Sequence, residues 1–97
     1  MPELASSIKP YNDFHGTALN PASPLHISGG SSSGTAAAIA ANFVTCGLGT
    51  DTLGSCRYPA NACGVAGMRP SRGRYPLDGI IPLELSNDTA GPMGSCV

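Results

Sequence analysis

Two clusters of glycine and hydroxyl residues bracket an alanine-rich run. Gly29-Gly30-Ser31-Ser32-Ser33-Gly34 precedes Ala36 to Ala41, and Gly49-Thr50-Asp51-Thr52-Leu53-Gly54-Ser55 follows it. The first cluster places small hydroxyls at the start of a helix-forming segment, where backbone N–H groups lack intrahelical partners. The second ends in a serine on a loop able to expose successive backbone N–H groups. Two serines, an oxyanion site and a helix N-terminus within one small unit are the equipment of acyl transfer.

The motifs are long: GGSSSGTAAAIAA, GTDTLGSCRYPANACGVAGMRPS and NDTAGPM. Together with Met1-Pro2-Glu3-Leu4-Ala5, similar to a family M-H-E-L-A segment, they resemble the amidase signature family of serine hydrolases. The resemblance covers nearly the whole chain and leans toward the branch containing indoleacetamide and mandelamide hydrolases. It implies an α/β fold, a mixed sheet flanked by helices. Residues 1–97 would form a partial amidase signature domain, without the upstream lysine segment and the downstream remainder.

The resemblance also implies roles. Ser55 matches the nucleophilic serine of the G-T-D-T-G-G-S-x-R pattern. Ser31 matches the serine that relays a proton between lysine and nucleophile, and the Gly30–Ser31 peptide bond would be cis. Backbone N–H groups of Thr52, Leu53, Gly54 and Ser55 could point at the oxyanion, where losing one donor costs a factor of roughly 100–1,000 in rate. Asp51 and Arg57 flank Ser55, and a buried pair could hold the loop by charge-assisted hydrogen bonds. The family's triad is Ser–Ser–Lys, yet Lys9 is the only lysine here. Lys9 lies downstream of the M-H-E-L-A-like segment, whereas the family's lysine precedes it, so Lys9 reads as a surface residue. Leu53 replaces a glycine common in the family, and its side chain narrows the approach to the loop. Pro2 replaces the family's histidine.

The elements that must position these residues can be read locally. Residues 32–44 form the clearest helix, with Ser31, Ser32 or Ser33 as its cap and alanines of high helix propensity. Ile39 and Phe43 sit four apart on one face, the helix reads as buried, and Gly47 suits its exit turn. Residues 45–48 read as a short buried strand and residues 50–54 as a loop. Pro59 starts a helical turn through Ala62, and residues 65–68 form another short strand. Leu4, Ala5 and Ile8 offer a helical face over a turn or two before Pro10. Residues 69–82 are turn-rich, with Arg69, Arg72 and Arg74 read as surface or interdomain contacts. Residues 84–97 show no clear element.

Composition bounds the rest. Ninety-seven residues allow one small domain, and such a chain buries only roughly 60–65% of its unfolded surface. Only 11% of residues are charged, beside 13 Gly and 9 Pro, which suits a segment surrounded by other protein. A net charge of −1 gives no reason to expect nucleic acid or an anionic membrane. Cys46, Cys56, Cys63 and Cys96 form no C-x-x-C pair and lie far from His15 and His26, so neither a metal nor another cofactor is expected. Free buried thiols in a reducing compartment are the favoured reading. With no signal-peptide pattern and no apolar run of about 20 residues, the expected location is cytoplasmic.

The functional expectation is an amidase that hydrolyses a carboxylic amide to an acid and ammonia or an amine through a serine acyl-enzyme. A small-molecule amide is the substrate, and activity is not expected from these residues alone. The alternative is a non-catalytic remnant or interaction fragment, and either reading allows association with a complementary chain or with itself. Gly30-Ser31-Ser32-Ser33-Gly34 also fits G-x-S-x-G, with Ser32 as nucleophile, but both histidines precede Ser32 whereas that elbow needs Asp and then His after it. A phosphate loop would need G-K-[ST], which is missing.

Overall fold

The computed structural model describes residues 1–97. A 3-10 turn at Glu3–Ala5 leads to a two-stranded ribbon, β1 (Tyr11–Asn12) with β2 (Gly16–Thr17). Then come helix α1 (Ser33–Ala40), strand β3 (Cys46–Asp51), helix α2 (Arg57–Cys63), β4 (Ala66–Gly67) and β5 (Thr89–Gly94). The main sheet has the order β3-β5-β4. The expected α/β class holds, and every strand pair within these residues is antiparallel.

Helix α1 is shorter than the sequence reading. Asn42 adopts φ 59°, a left-handed conformation that asparagine tolerates. The Asn42 N–H then reaches the Ile39 carbonyl and the Phe43 N–H reaches the Ala38 carbonyl, a Schellman ending. The stop is therefore Asn42, and Gly47 lies inside β3 instead of the exit turn. Phe43, outside the helix, is 81% exposed and does not share the buried face of Ile39. Ser33, Ala36 and Ile39 make up that face, so the helix is buried on one side only. Leu4 and Ala5, both at positive φ, form a tight 3-10 turn in place of an amphipathic helix.

Two further elements run longer than expected, and one was not foreseen. Strand β3 continues through Thr50 and Asp51, and α2 begins at Arg57, two residues before Pro59. The expected strand at 65–68 shrinks to Ala66–Gly67. The central strand β5 lies in NDTAGPM, with Leu48 opposite Pro92 and Gly49 opposite Gly91. Proline in a central strand removes a ladder donor, which is why the segment did not read as one. The Pro92 carbonyl still accepts from the Met68 N–H at 3.0 Å.

The core joins Ala36 and Ile39 of α1 to Cys56, Ala60 and Cys63 around α2 and to Met93 of β5. Glycines let the helical layer approach the sheet. A β-carbon at Gly49 or at its cross-strand partner Gly91 would fall 2.8 Å from Cys56 Sγ. The thiol therefore lies over a glycine pair. No helix is long and apolar enough to cross a membrane. Many large apolar side chains remain exposed, among them Phe14, Leu25, Leu48 and Ile81.

Candidate active site

Ser31 is delivered by Gly29 and Gly30, each pressed against backbone. A β-carbon at Gly29, where φ is 72°, would meet Pro59 Cα at 2.9 Å, and one at Gly30 would meet the Ser7 carbonyl oxygen at 2.7 Å. The Gly30–Ser31 bond is cis, as the resemblance implied. Ser31 is 1% exposed. The next residue, Ser32, donates its N–H to the Ser55 carbonyl at 3.1 Å. This bond sets the two serine segments side by side.

Ser32 is the N-cap residue of α1, but its side chain makes no cap bond. Its hydroxyl instead accepts from the Thr50 N–H at 3.2 Å and donates to the Thr50 carbonyl at 3.3 Å. It thus ties α1 to β3, and that double contact leaves it no histidine partner of the kind an elbow nucleophile needs. Ser33 Oγ is buried with no hydrogen-bond partner.

Ser55 sits half-buried in the turn between β3 and α2, and Asp51 organises that turn. Its carboxylate is 0% exposed and accepts the Gly54 N–H at 2.8 Å and the Cys56 N–H at 3.1 Å. Arg57 Nε donates to Oδ2 at 3.1 Å and Arg57 Nη2 to Oδ1 at 3.2 Å, a two-pronged pair. Burial would raise the Asp51 pKa. The donors from Arg57, Cys56, Arg69 and Gly54 outweigh it and hold the carboxyl down at about 2. Asp51 is therefore a fixed anion and not a proton carrier.

The four expected oxyanion donors divide. The Gly54 N–H already serves Asp51, so it is not free for a ligand, and Gly54 fixes the loop instead. The N–H groups of Thr52, Leu53 and Ser55 take no acceptor within the chain. The Leu53 side chain is 72% exposed.

Two residues of this assembly escaped the sequence reading. Arg69 is drawn into the Asp51 loop and is not simply a surface residue. Its Nη1 reaches Asp51 Oδ1 at 3.0 Å, the Thr52 carbonyl at 3.2 Å and also the Asp51 carbonyl, while Nη2 reaches the Asn87 carbonyl at 2.6 Å. Asp88 accepts the Thr52 hydroxyl at 2.5 Å and the N–H groups of Leu83 and Glu84. Its pKa is lowered because those bonds outweigh its burial. The signal for Asp88 was its place in NDTAGPM, but no local pattern showed that it returns to the loop. Lys9 is exposed and in no ion pair, in keeping with its reading as a surface residue.

Cys56, the neighbour of Ser55, is not a competing nucleophile. Burial pushes its thiol up to about 11 against a smaller downward pull from Ser32, so it stays protonated at neutral pH. A largely apolar cavity of about 640 Å³ is lined by Leu4, Leu48, Leu77, Ile80 and Ile81 and touches Ser32 and Thr52. Neither Ser31 nor Ser55 lines it.

This α/β unit has two adjoining serine segments and a clamped loop. The chain belongs to the amidase family, whose family model, described as Amidase, matches residues 1–97. It is 50% identical to an indoleacetamide hydrolase of Agrobacterium vitis over 97 residues, all of this chain and 21% of that protein. It is 53% identical over 89 residues to a Pisum sativum protein called translocon at the outer membrane of chloroplasts 64, covering 92% of this chain and 15% of that protein. A solved amidase structure superposes with a TM-score of 0.94 at 44% identity, covering 98% of this chain and 22% of that one. The chain thus spans about one fifth of the length of such relatives.

Proposed function

We propose that residues 1–97 supply the two serines and the oxyanion loop of an amide-hydrolysing site. The observation that carries this reading is the Ser32 N–H bond to the Ser55 carbonyl, which joins the Ser31 segment to a loop with unengaged N–H groups. Ser55 Oγ bonds to the acyl carbon while its proton passes through Ser31 to the departing nitrogen. The carbonyl oxygen becomes an oxyanion facing N–H groups of Thr52, Leu53 and Ser55. The C–N bond breaks, ammonia or an amine leaves, and water hydrolyses the Ser55 ester to the acid. A lysine outside residues 1–97 is the base that starts the relay, because serine is a weak nucleophile at its ordinary pKa. The substrate class is a small carboxylic amide, in line with the names of the hydrolase relatives. The exposed apolar surface suits burial against further protein, in the same polypeptide or in a complementary chain, and that protein is where this reading places the lysine.

The test is a chimera in which residues 1–97 replace the matching segment of the Agrobacterium vitis indoleacetamide hydrolase. Indoleacetamide turnover that vanishes in Ser55→Ala, together with loss of fluorophosphonate labelling at that position, supports the reading. Labelling at Ser32 in its place would support the elbow. The second reading, a non-catalytic interaction segment, is favoured by one observation: a relative above 50% identity is named for a translocon and not for hydrolysis. A folded chimera with no turnover and no labelling would favour it.

A further inference from the structure

We propose that Tyr58 is a positioning residue that fixes the Gly54–Ser55 peptide and so aims the Ser55 N–H and hydroxyl. The proposal rests on the amidase reading above. Gly54 has φ 135°, a conformation that side chains rarely adopt, and a β-carbon there would run into the Tyr58 ring, 2.7 Å from Cζ and 2.8 Å from Cδ2, with Cε2 nearer still. The ring therefore lies against the bare α-carbon of Gly54. The Tyr58 N–H also donates to the Gly54 carbonyl at 2.7 Å, and the Gly54 N–H is held by Asp51 at 2.8 Å. Gly54 is gripped at its N–H, its carbonyl and its α-carbon by separate groups, two of them from Tyr58.

Core packing does not account for this ring. Tyr58 is 53% exposed and lies outside the buried cluster. Its hydroxyl makes no hydrogen bond to the chain, so the ring plane and not the hydroxyl provides the grip. Glycine unsupported at such a φ has many alternatives close in energy. The peptide that follows carries the Ser55 N–H, which has no acceptor of its own to orient it. Tyr58 supplies the missing restraint. A misplacement of about 1 Å at a reacting group costs on the order of 100-fold in rate.

The experiment measures kcat and KM for indoleacetamide in the chimera carrying Tyr58→Phe, Tyr58→Leu or Tyr58→Ala. Alongside, amide hydrogen exchange at Gly54 and Ser55 is followed in the same chimera. Tyr58→Phe keeps kcat within about twofold, whereas Tyr58→Ala lowers kcat about 10- to 100-fold with KM moved less than about threefold. Exchange at Gly54, whose N–H is held by Asp51, speeds up at least about tenfold in Tyr58→Ala and not in Tyr58→Phe. Tyr58→Leu falls between them and replaces Tyr58→Ala should that variant not fold. A Tyr58→Ala or Tyr58→Leu enzyme with unchanged kcat, or with KM alone raised, overturns the proposal. A Tyr58→Phe enzyme as impaired as Tyr58→Ala overturns it too, since the hydroxyl would then be the active part. The amidase reading fails separately, on Ser55→Ala that retains turnover.

Discussion

Replacing Asp51 by asparagine should remove the organising charge of the loop. The carboxylate is wholly buried and faces backbone N–H groups of Gly54 and Cys56 and the guanidinium groups of Arg57 and Arg69. Its pKa falls from 3.8 to about 2 on folding. At about 1.4 kcal/mol per unit, ionised Asp51 favours the folded chain by about 2 kcal/mol. Asparagine keeps the shape but offers one acceptor oxygen, and its NH2 group must face a donor. Breaking a buried pair in this way costs about 3–5 kcal/mol, a large part of the stability of any small domain. The assay is urea unfolding of the 97-residue chain by circular dichroism, at neutral pH and then along an acid series. Because the folded pKa lies below the unfolded one, the contribution is complete above pH 3.8 and is lost as pH falls toward about 2. The wild-type chain should show that acid-dependent loss, and Asp51→Asn should keep only the share that comes from Asp88, whose pKa is also lowered. A variant that loses less than about 1 kcal/mol at neutral pH, as an exposed ion pair would, refutes the reasoning.

The two hydroxyls after Ser31 should behave oppositely. Ser32→Ala strands the Thr50 N–H and carbonyl and should destabilise by about 1–3 kcal/mol, whereas Ser33→Ala removes an unpartnered buried hydroxyl and should be neutral or stabilising by up to about 1 kcal/mol; urea midpoints decide between them. Cys46 and Cys96 are exposed and Cys56 and Cys63 buried, so iodoacetamide at neutral pH should modify the first two in the native chain and the second two only in denaturant, as mass spectrometry would show. The 97-residue chain alone should show no Ser55-dependent turnover of an aryl amide, because its one lysine lies outside the site; turnover abolished by Ser55→Ala would refute that account of the base.

The parts of the site legible in the sequence were those whose partners are close along the chain. Asp51 and Arg57 are six residues apart and meet through one turn, so their pairing follows from local geometry. The glycines and serines of both loops announced themselves by type. Arg69 and Asp88 reach the same loop from 18 and 36 residues away, and no periodicity connects them to it. Strand β5, which brings Asp88 there, was hidden by Pro92 and by glycines that a strand reading penalises. Those glycines are required because the Cys56 thiol takes the space a side chain would fill. The end of α1 was misplaced for a related reason, since Asn42 does the work usually given to glycine.

The distribution of charge shows what the fold must hold rigid. Of the 11 charged residues, 5 basic and 6 acidic, Asp51, Arg57, Arg69 and Asp88 converge on the turn before Ser55. Replacing a buried ion pair by packed apolar groups is often neutral or stabilising, so stability alone does not call for this cluster. The ion cluster is better explained by the loop it fixes. Asp51 takes the Gly54 and Cys56 N–H groups on either side of Ser55, so the Ser55 N–H between them is left pointing away from the carboxylate. Arg69 holds the same carboxylate and the Asp51 and Thr52 carbonyls, and the Thr52 and Leu53 N–H groups are unclaimed. A carboxylate that takes the N–H groups of Gly54, Cys56 and Arg57 and leaves that of Ser55 thus sorts the loop into anchored donors and free ones. Neutralising Asp51 should therefore impair chemistry in the chimera beyond its effect on stability. In Arg57→Met, by contrast, Arg69 still neutralises the carboxylate, and kcat should survive better than in Asp51→Asn at matched folded fraction. Equal loss in the two variants would mean that the salt bridge, and not the sorting of N–H groups, is what Asp51 provides.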